Sequence, residues 1–321
     1  MSRPTDVVVS RVLCVTPNPA VDVTYRVGSW APGASHRVRD VLERPGGKGV
    51  NVARVLRVLG VPAVVVAPLG GPGGDWLAAE LRAGGHAVRA VPVAAATRRT
   101  VTVVDDTGAA TAFNEPGRAL SEDEWSAFVA AVAEELGDAV ALVVSGSLPA
   151  GAPSDLLPRL VAAARDAGVP AVADTSGPAL LTVAGAGPAL VKPNAHELAE
   201  ALPGDDGVSG AAGRLLALGA ERVVVSLGAD GLLGVDGSGG SGESAVWRVA
   251  GVPGVAGNPT GAGDATVAAL VRGLVAGTPW PEALTDAAAL GAAAVLAAAA
   301  GEVDLAAYER FLPTLHAERV E

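Results

Sequence analysis

The stretch Gly257-Asn258-Pro259-Thr260-Gly261-Ala262-Gly263-Asp264-Ala265-Thr266-Val267-Ala268-Ala269-Leu270 decides the fold. Asn258-Pro259 is a turn signal, and the Ala/Val/Leu run after Asp264 has the spacing of a buried helix. The first amides of such a helix lack intrahelical partners and carry the positive end of its dipole. Glycines there let the backbone close on a phosphate. Asp264 then stands at the lip of an anion hole, where a carboxylate repels a phosphate unless it has a task. Accepting the proton of a hydroxyl that attacks the phosphate is such a task. The tetrapeptide alone also reads as a glycine turn with Asp264 capping a helix. With 42 glycines in 321 residues, Gly-x-Gly recurs by chance, so the rest of the chain must separate the two readings.

Outward from this stretch, apolar runs of strand length alternate with amphipathic runs of helix length. The strand candidates are Val12–Val15, Ala63–Ala67, Ala141–Ser145, Ala171–Asp174, Leu190–Lys192 and Arg222–Ser226. The helix candidates are Val50–Leu59, Trp76–Ala83, Glu122–Leu136, Asp155–Ala167, Ala211–Leu218, Thr266–Ala276 and Pro281–Ala299. This alternation predicts an α/β fold with a mostly parallel sheet and helices on both faces. Ligands in such folds sit outside the carboxyl ends of the strands. Polar motifs follow the strands at Asn18–Asp22, Ser145–Ser147, Asn194–Glu197 and Ser226–Gly231, so they should converge on one rim. Arg99–Val104 and Ala110–Asn114 read as a hairpin around Gly108, and with Val23–Val27 they predict a small antiparallel flap. Ser238–Gly242 reads as a flexible hairpin tip.

Composition narrows the function. A net charge of −11 argues against nucleic acid and anionic membranes, so an anionic small substrate would need local cations. The single cysteine, Cys14, lies in an apolar run and reads as a core residue of a chain suited to a reducing cytosol. Four scattered histidines show no zinc spacing. Met1–Val15 has no signal-peptide stretch, and the uncharged run Ala287–Gly301 is too short and alanine-rich for a membrane span; a cytoplasmic location is expected. Scarcity says more. Lysine occurs only at Lys48 and Lys192, and asparagine only at Asn18, Asn51, Asn114, Asn194 and Asn258. All seven fall in short polar motifs, where they do something that Arg, Ala or Val cannot.

Pro45-Gly46-Gly47-Lys48-Gly49-Val50-Asn51-Val52-Ala53 places a lysine and an asparagine around a helix start. Close backbone approach plus one cation reads as an anion or sugar site. It is not a Walker loop, because Gly49 follows Lys48 where Ser or Thr is required. Thr97-Arg98-Arg99 precedes the hairpin, and one of its arginines could hold a phosphate bidentately. Val191-Lys192-Pro193-Asn194-Ala195-His196-Glu197 leaves a strand and enters a helix. Asn194 and Glu197 share one face there, as a capping pair or as a hard-metal shell. Ser226-Leu227-Gly228-Ala229-Asp230-Gly231 would let a nucleotide lie against backbone.

Two signatures together are specific. Gly46-Gly47-Lys48-Gly49-Val50-Asn51-Val52-Ala53, with Gly60 beyond it, and Asn258-Pro259-Thr260-Gly261-Ala262-Gly263-Asp264 resemble those of the PfkB (ribokinase-like) carbohydrate kinases. The likeness runs over nearly the full chain. Asn18–Asp22, Ser145–Pro149, Asp174-Thr175-Ser176-Gly177, Lys192–Glu197 and Ser226–Gly231 look like the branch of 1-phosphofructokinases and tagatose-6-phosphate kinases. The resemblance implies one ribokinase-like kinase domain over 1–321, with a small β lid from segments near 22–44 and 97–115. It implies Asp264 as catalytic base and Gly261, Ala262 and Gly263 as anion hole. Asp22, Gly47 and Asn51 would hold sugar hydroxyls, and Lys48, Arg98 and Arg37 the acceptor's own phosphate. Ser226, Gly228 and Gly231 would face ATP, joined by Lys192, Asn194 and Asn258, with Asn194 and Glu197 serving Mg²⁺. Thr100 stands where relatives often have asparagine, and Ala112 where glutamate is common.

The expected reaction is Mg-assisted phosphoryl transfer from ATP to a phosphorylated ketohexose, fructose 1-phosphate or tagatose 6-phosphate first and fructose 6-phosphate third. The alternatives are a kinase of an unphosphorylated sugar or nucleoside, and a non-catalytic regulator that binds nucleotide or sugar. A base at Asp264 with Asn194 and Glu197 speaks against a regulator, because a sensor needs no base. A homodimer through the lid is implied by the resemblance alone.

Overall fold

The computed structural model describes residues 10–239 and 244–320. The chain runs β1 (Arg11–Val15), β2 (Ala20–Arg26), β3 (Asp40–Gly46), α1 (Lys48–Val58), β4 (Ala63–Leu69), α2 (Gly71–Ala83), β5 (Ala87–Pro92), β6 (Arg98–Val104) and β7 (Ala110–Asn114). It continues α3 (Glu122–Glu135), β8 (Ala139–Ser145), α4 (Leu156–Asp166), β9 (Ala171–Asp174), α5 (Pro178–Ala184), β10 (Leu190–Val191), α6 (Ala195–Ala201), α7 (Gly207–Leu218) and β11 (Arg222–Ser226). It closes with β12 (Leu232–Asp236), β13 (Ala245–Val249), α8 (Ala262–Ala276), α9 (Trp280–Val295), α10 (Leu305–Phe311) and β14 (Ala317–Arg319).

Ten strands form one sheet in the order β14-β13-β12-β11-β10-β9-β8-β1-β4-β5. The seven from β11 to β5 pair in parallel, and β12, β13 and β14 extend the sheet antiparallel. β1 shows why the sheet is covered twice. Its run Val12-Leu13-Cys14-Val15 is wholly buried, with Leu13 and Val15 in one apolar cluster and Val12 and Cys14 in the other. Strand side chains alternate between faces, so an unbroken apolar strand needs helices on both sides. Residues of α3, α4, α5, α6 and α7 fill the first cluster; residues of α1, α2, α8 and α9 fill the second. Each fully buried Leu or Val contributes roughly 1.5–3 kcal/mol of transfer free energy. Helix α8 is apolar nearly all round, as its sequence required, and lies against α1 and α9.

A second sheet of four strands has the order β3-β2-β6-β7. The expected hairpin is present as β6 and β7, and β2 lies beside it, but β2 and β6 run parallel while the outer pairings are antiparallel. Strand β3, Asp-Val-Leu-Glu-Arg-Pro-Gly, was not legible because most of it is exposed and carries no alternation. The expected hairpin around residue 240 joins β12 to β13, and Gly240-Ser241-Gly242 at its tip lie outside the described residues. Among the described residues no helix is long and apolar enough to cross a membrane, and Ala287–Gly301 belongs mostly to α9. Cys14 is buried in the core as expected, and burial pushes its thiol pKa up.

In the large sheet β8 and β4 flank β1 on opposite sides, so the connections leaving β1 and β8 diverge at their carboxyl ends. Such a switch point opens a crevice. Asn18 from the turn after β1 reaches across it, donating from Nδ2 to Ser147 Oγ at 3.2 Å and to the Pro116 carbonyl at 3.1 Å.

Candidate active site

The base candidate sits where helix α8 begins. Gly261 caps it in a left-handed conformation, φ +91°, and a side chain there would come within 2.8 Å of Ala300 Cα. Only glycine meets both demands. Asn258 prepares the turn: its Oδ1 accepts from the Thr260 amide at 3.0 Å, and its own amide donates to Val295. Of the expected anion-hole residues, Ala262 has its amide donated to the Pro259 carbonyl at 3.2 Å, whereas among the described residues the Gly263 and Asp264 amides have no acceptor, so the helix start offers free donors at those two positions. Asp264 is only 5 % exposed and accepts a 2.8 Å hydrogen bond from Asn51 Nδ2. Burial, aided by the nearby Asp174 carboxylate, pushes its pKa up to about 7, against the Asn51 bond and the charges of Lys48 and Lys192. A carboxylate poised near neutrality is what proton abstraction at physiological pH requires.

Asn51 and Lys48 arrive on the first turn of α1, which begins after Gly47 at φ +114°. Lys48 Nζ lies 3.4 Å from Asp174 Oδ2 and 3.8 Å from Glu197 Oε1. Burial opposes its charge, but the carboxylates of Asp174, Glu197 and Asp264 outweigh that cost and hold its pKa above the ordinary value. Asp174 ends β9 and is 1 % exposed, bonded by Ser145 Oγ at 3.0 Å and flanked by Lys192 Nζ at 3.6 Å. Burial alone would raise its pKa; Lys192, Lys48 and the Ser145 hydroxyl together hold it below the ordinary carboxylate value. Lys192, just beyond β10, is buried and passes close to Gly263 at the start of α8.

Asn194 and Glu197 form a full capping box on α6. Asn194 Oδ1 accepts from the Glu197 amide at 2.8 Å, and Glu197 Oε2 accepts from the Asn194 amide at 2.9 Å. The cap occupies Oε2, while Oε1 faces Lys48, so capping and a site role coexist in one side chain. Among the described residues no three or more His, Cys, Asp or Glu side chains are grouped to hold a metal ion. Mg²⁺ does not need such a cage, since it is held through one or two carboxylates, waters and substrate phosphates. Of the expected pair, Asn194 Oδ1 already accepts from the Glu197 amide while Glu197 Oε1 faces Lys48; Asp174, which shares Lys48 as a neighbour, is a further carboxylate candidate that the sequence did not single out.

The structure divides the expected acceptor residues. Asp22 on β2 accepts a hydrogen bond from Thr100 Oγ1 on β6; burial raises its pKa, opposed by that bond and by Arg98, Arg54 and Arg44. Arg98 donates to the Asn18 carbonyl at 3.2 Å and the Glu115 carbonyl at 2.8 Å, beside a small cavity that Asn18, Thr97 and Arg118 also line. Arg37 lies in the exposed connection between β2 and β3. Lys48, Arg98 and Arg37 were expected to surround one phosphate, yet they share no partner: Lys48 points among the acids beside α8, Arg98 lies at the base of the small sheet, and Arg37 faces solvent.

On the expected nucleotide side, Asn194 and Ser226 form a bridge that holds the ends of β10 and β11 together. Gly228 is exposed with open space where a side chain would be, whereas Gly231 is required by its own turn. A side chain at Gly231, φ +93°, would stand 2.0 Å from the Val249 carbonyl oxygen. Asp174 and Ser145 are the residues that sequence reasoning quoted without a role. The available signal was Asp174 itself, a charge closing the apolar strand Ala171-Val172-Ala173 on the rim where ligands bind.

With this geometry in place, comparison identifies the class. The profile of the pfkB family carbohydrate kinases matches residues 13–305, and the chain belongs to that family. Among its relatives is the ATP-dependent 6-phosphofructokinase isozyme 2 of Mycobacterium tuberculosis (strain ATCC 25618 / H37Rv), 34% identical over 308 residues that cover 94% of this chain and 88% of the relative. The fold is that of phosphofructokinase-2 from Escherichia coli in complex with fructose-6-phosphate, at 32% identity and a TM-score of 0.83, covering 95% of this chain and 99% of that one. A Thermotoga maritima protein described as a possible 1-phosphofructokinase is 26% identical with a TM-score of 0.85, covering 97% of this chain and 100% of that one.

Proposed function

We propose that this carbohydrate kinase transfers the γ-phosphoryl group of ATP to a hydroxyl of a ketohexose monophosphate, giving a bisphosphate and ADP. The observation that carries the reading is Asp264, a buried carboxylate with a pKa of about 7 beside free amides at the start of α8. The acceptor hydroxyl oxygen bonds to phosphorus as the bond to ADP breaks, and the hydroxyl proton passes to Asp264. Asn51 orients Asp264; the Gly263 and Asp264 amides receive the negative charge of the transferring group. Lys48 and Lys192 neutralise the acids Asp174 and Glu197 that stand beside that group. Mg²⁺, when bound at Asp174 and Glu197, would neutralise the polyphosphate of the donor. Asp22 holds a sugar hydroxyl under the lid formed by the small sheet, and Arg98 supports the acceptor's phosphate.

Fructose 6-phosphate gains weight from the relatives named for it and joins fructose 1-phosphate and tagatose 6-phosphate as leading acceptors. The same reading places a second copy of the chain against the lid, where Val41, Leu42 and Phe113 are about half exposed. The test is an ATP-consumption panel of the three sugar phosphates against free fructose, ribose and adenosine. A sugar phosphate should win by kcat/KM. A free sugar or nucleoside in first place would overturn the acceptor class, and ATP binding without turnover of any acceptor would favour a regulator.

A further inference from the structure

One tripeptide touches three walls of the site. Ala300 packs on Gly261, the cap of the helix that carries Asp264. A side chain at Gly301 would come within 3.2 Å of Asn51 Oδ1 and 2.9 Å of Arg54 Cδ, so its backbone lies directly on the residue that orients Asp264. Glu302 then reaches the small sheet, with Oε1 2.7 Å from Arg44 Nη2. Arg44 stands opposite Asp22 in the β2–β3 register, and directly opposed residues of an antiparallel pair share a face. The charge of Arg44 is felt by Asp22 in turn. Arg54, one turn beyond Asn51 on α1, completes the cluster; its pKa falls to about 10 through burial and repulsion from Arg44, opposed by Asp22 and Glu302.

We infer that Glu302 and Arg44 are positioning residues for the acceptor: their ion pair fixes the small sheet, and with it Asp22, at a set distance from Asp264. The segment Ala300–Glu302 is the shared reference. It holds the α8 cap and Asn51 on one side and the strand opposite Asp22 on the other. Loss of the pair leaves the nucleotide side intact, because neither side chain contacts Lys192, Asn194 or the α8 amides. This inference rests on the acceptor role proposed above for Asp22.

The experiment uses the full chain with ATP and the best acceptor of the panel, comparing Glu302→Gln, Arg44→Gln and the double variant. For a partly exposed pair, each single change should raise acceptor KM about three- to fivefold while ATP KM stays within twofold. The double variant should be no worse than either single one, since both remove the same interaction. Arg44→Lys, which keeps the cation, should recover most of the loss. Additive effects, or an equal rise in ATP KM, would overturn the assignment. Amide exchange over 40–46 gives a readout independent of turnover: faster exchange in Glu302→Gln supports the tie and unchanged exchange refutes it. If wild-type protein turns over no sugar phosphate, the functional reading fails, while the exchange experiment still decides whether the ion pair anchors the sheet.

Discussion

Replacing Asp264 by asparagine should remove activity and stabilise the fold, and the two effects should follow the same titration. The Asp264 pKa stands at about 7 against an ordinary 3.8, because burial and Asp174 disfavour its charge. A carboxyl whose pKa is raised on folding favours the native state while neutral and costs stability once ionised. The stability is therefore fully present below pH 3.8 and is lost as pH rises to about 7. The shift of roughly three units corresponds to a cost on the order of 2–4 kcal/mol above neutrality. Asp264→Asn is neutral at every pH and still offers an oxygen to Asn51 Nδ2. It should unfold several degrees above wild type at pH 8.5 and within about one degree of it near pH 4. Its kcat should fall on the order of 10²–10⁴ with ATP binding little changed. In wild type, kcat/KM for ATP, which reports the enzyme before the donor binds, should drop about tenfold from its plateau at pH 6 and about a hundredfold at pH 5. Thermal unfolding across pH and a pH–rate profile on the same preparations are the assays. A variant that is less stable at pH 8.5, or a wild-type rate flat between pH 6 and 8, would refute the reasoning.

Glu197→Gln keeps an oxygen for the Asn194 amide, so the capping box survives and the unfolding midpoint should move by no more than about one degree. The Mg²⁺ concentration for half-maximal rate should rise several-fold, because a carboxylate charge is lost; an unchanged titration would leave Glu197 as a cap alone. Asp174→Asn should destabilise by about 3–5 kcal/mol, since buried Lys192 loses its ion pair, and chemical denaturation measures this. Lys48→Met should lower kcat more than it raises acceptor KM, because Lys48 lies among Asp174, Glu197 and Asp264; an effect on acceptor KM alone would return Lys48 to the acceptor's phosphate.

What was legible in the chain followed from local physics. The apolar runs of β1, β4, β8, β9 and β11 announce a doubly covered parallel sheet, and the start of α8 was visible because a glycine turn, an acid and an apolar run occur in order. Strand β3 was hidden, since an exposed strand of a small sheet has no apolar face to reveal it. The parallel pairing of β2 with β6 was hidden for another reason: two distant segments chose each other, and neither sequence records the direction. The scarcity of lysine singled out Lys48 and Lys192, but not where Lys48 points. Its neighbours are glycines, which fix a turn and say nothing of a partner 126 residues away.

That partner changes the electrostatic account of the site. Asp174, Glu197 and Asp264 surround Lys48, and Lys192 is the second cation among them. With Asp264 ionised, the group therefore carries one more negative than positive charge, although a polyphosphate is to be bound beside it. Two lysines that already neutralise buried acids cannot also neutralise a nucleotide, because releasing either acid would leave an unpaired buried charge. The free amides of α8 supply only a fraction of an elementary charge. On the proposed reading the remaining positive charge comes with the donor, as a hard divalent cation that the oxygens of Asp174 and Glu197 would hold. The same balance bears on Asp264: burial is the main cause of its raised pKa and Asp174 adds to it, so a cation drawn to Asp174 would lower it again. Binding of the donor would then ionise the base at the moment a proton acceptor is needed.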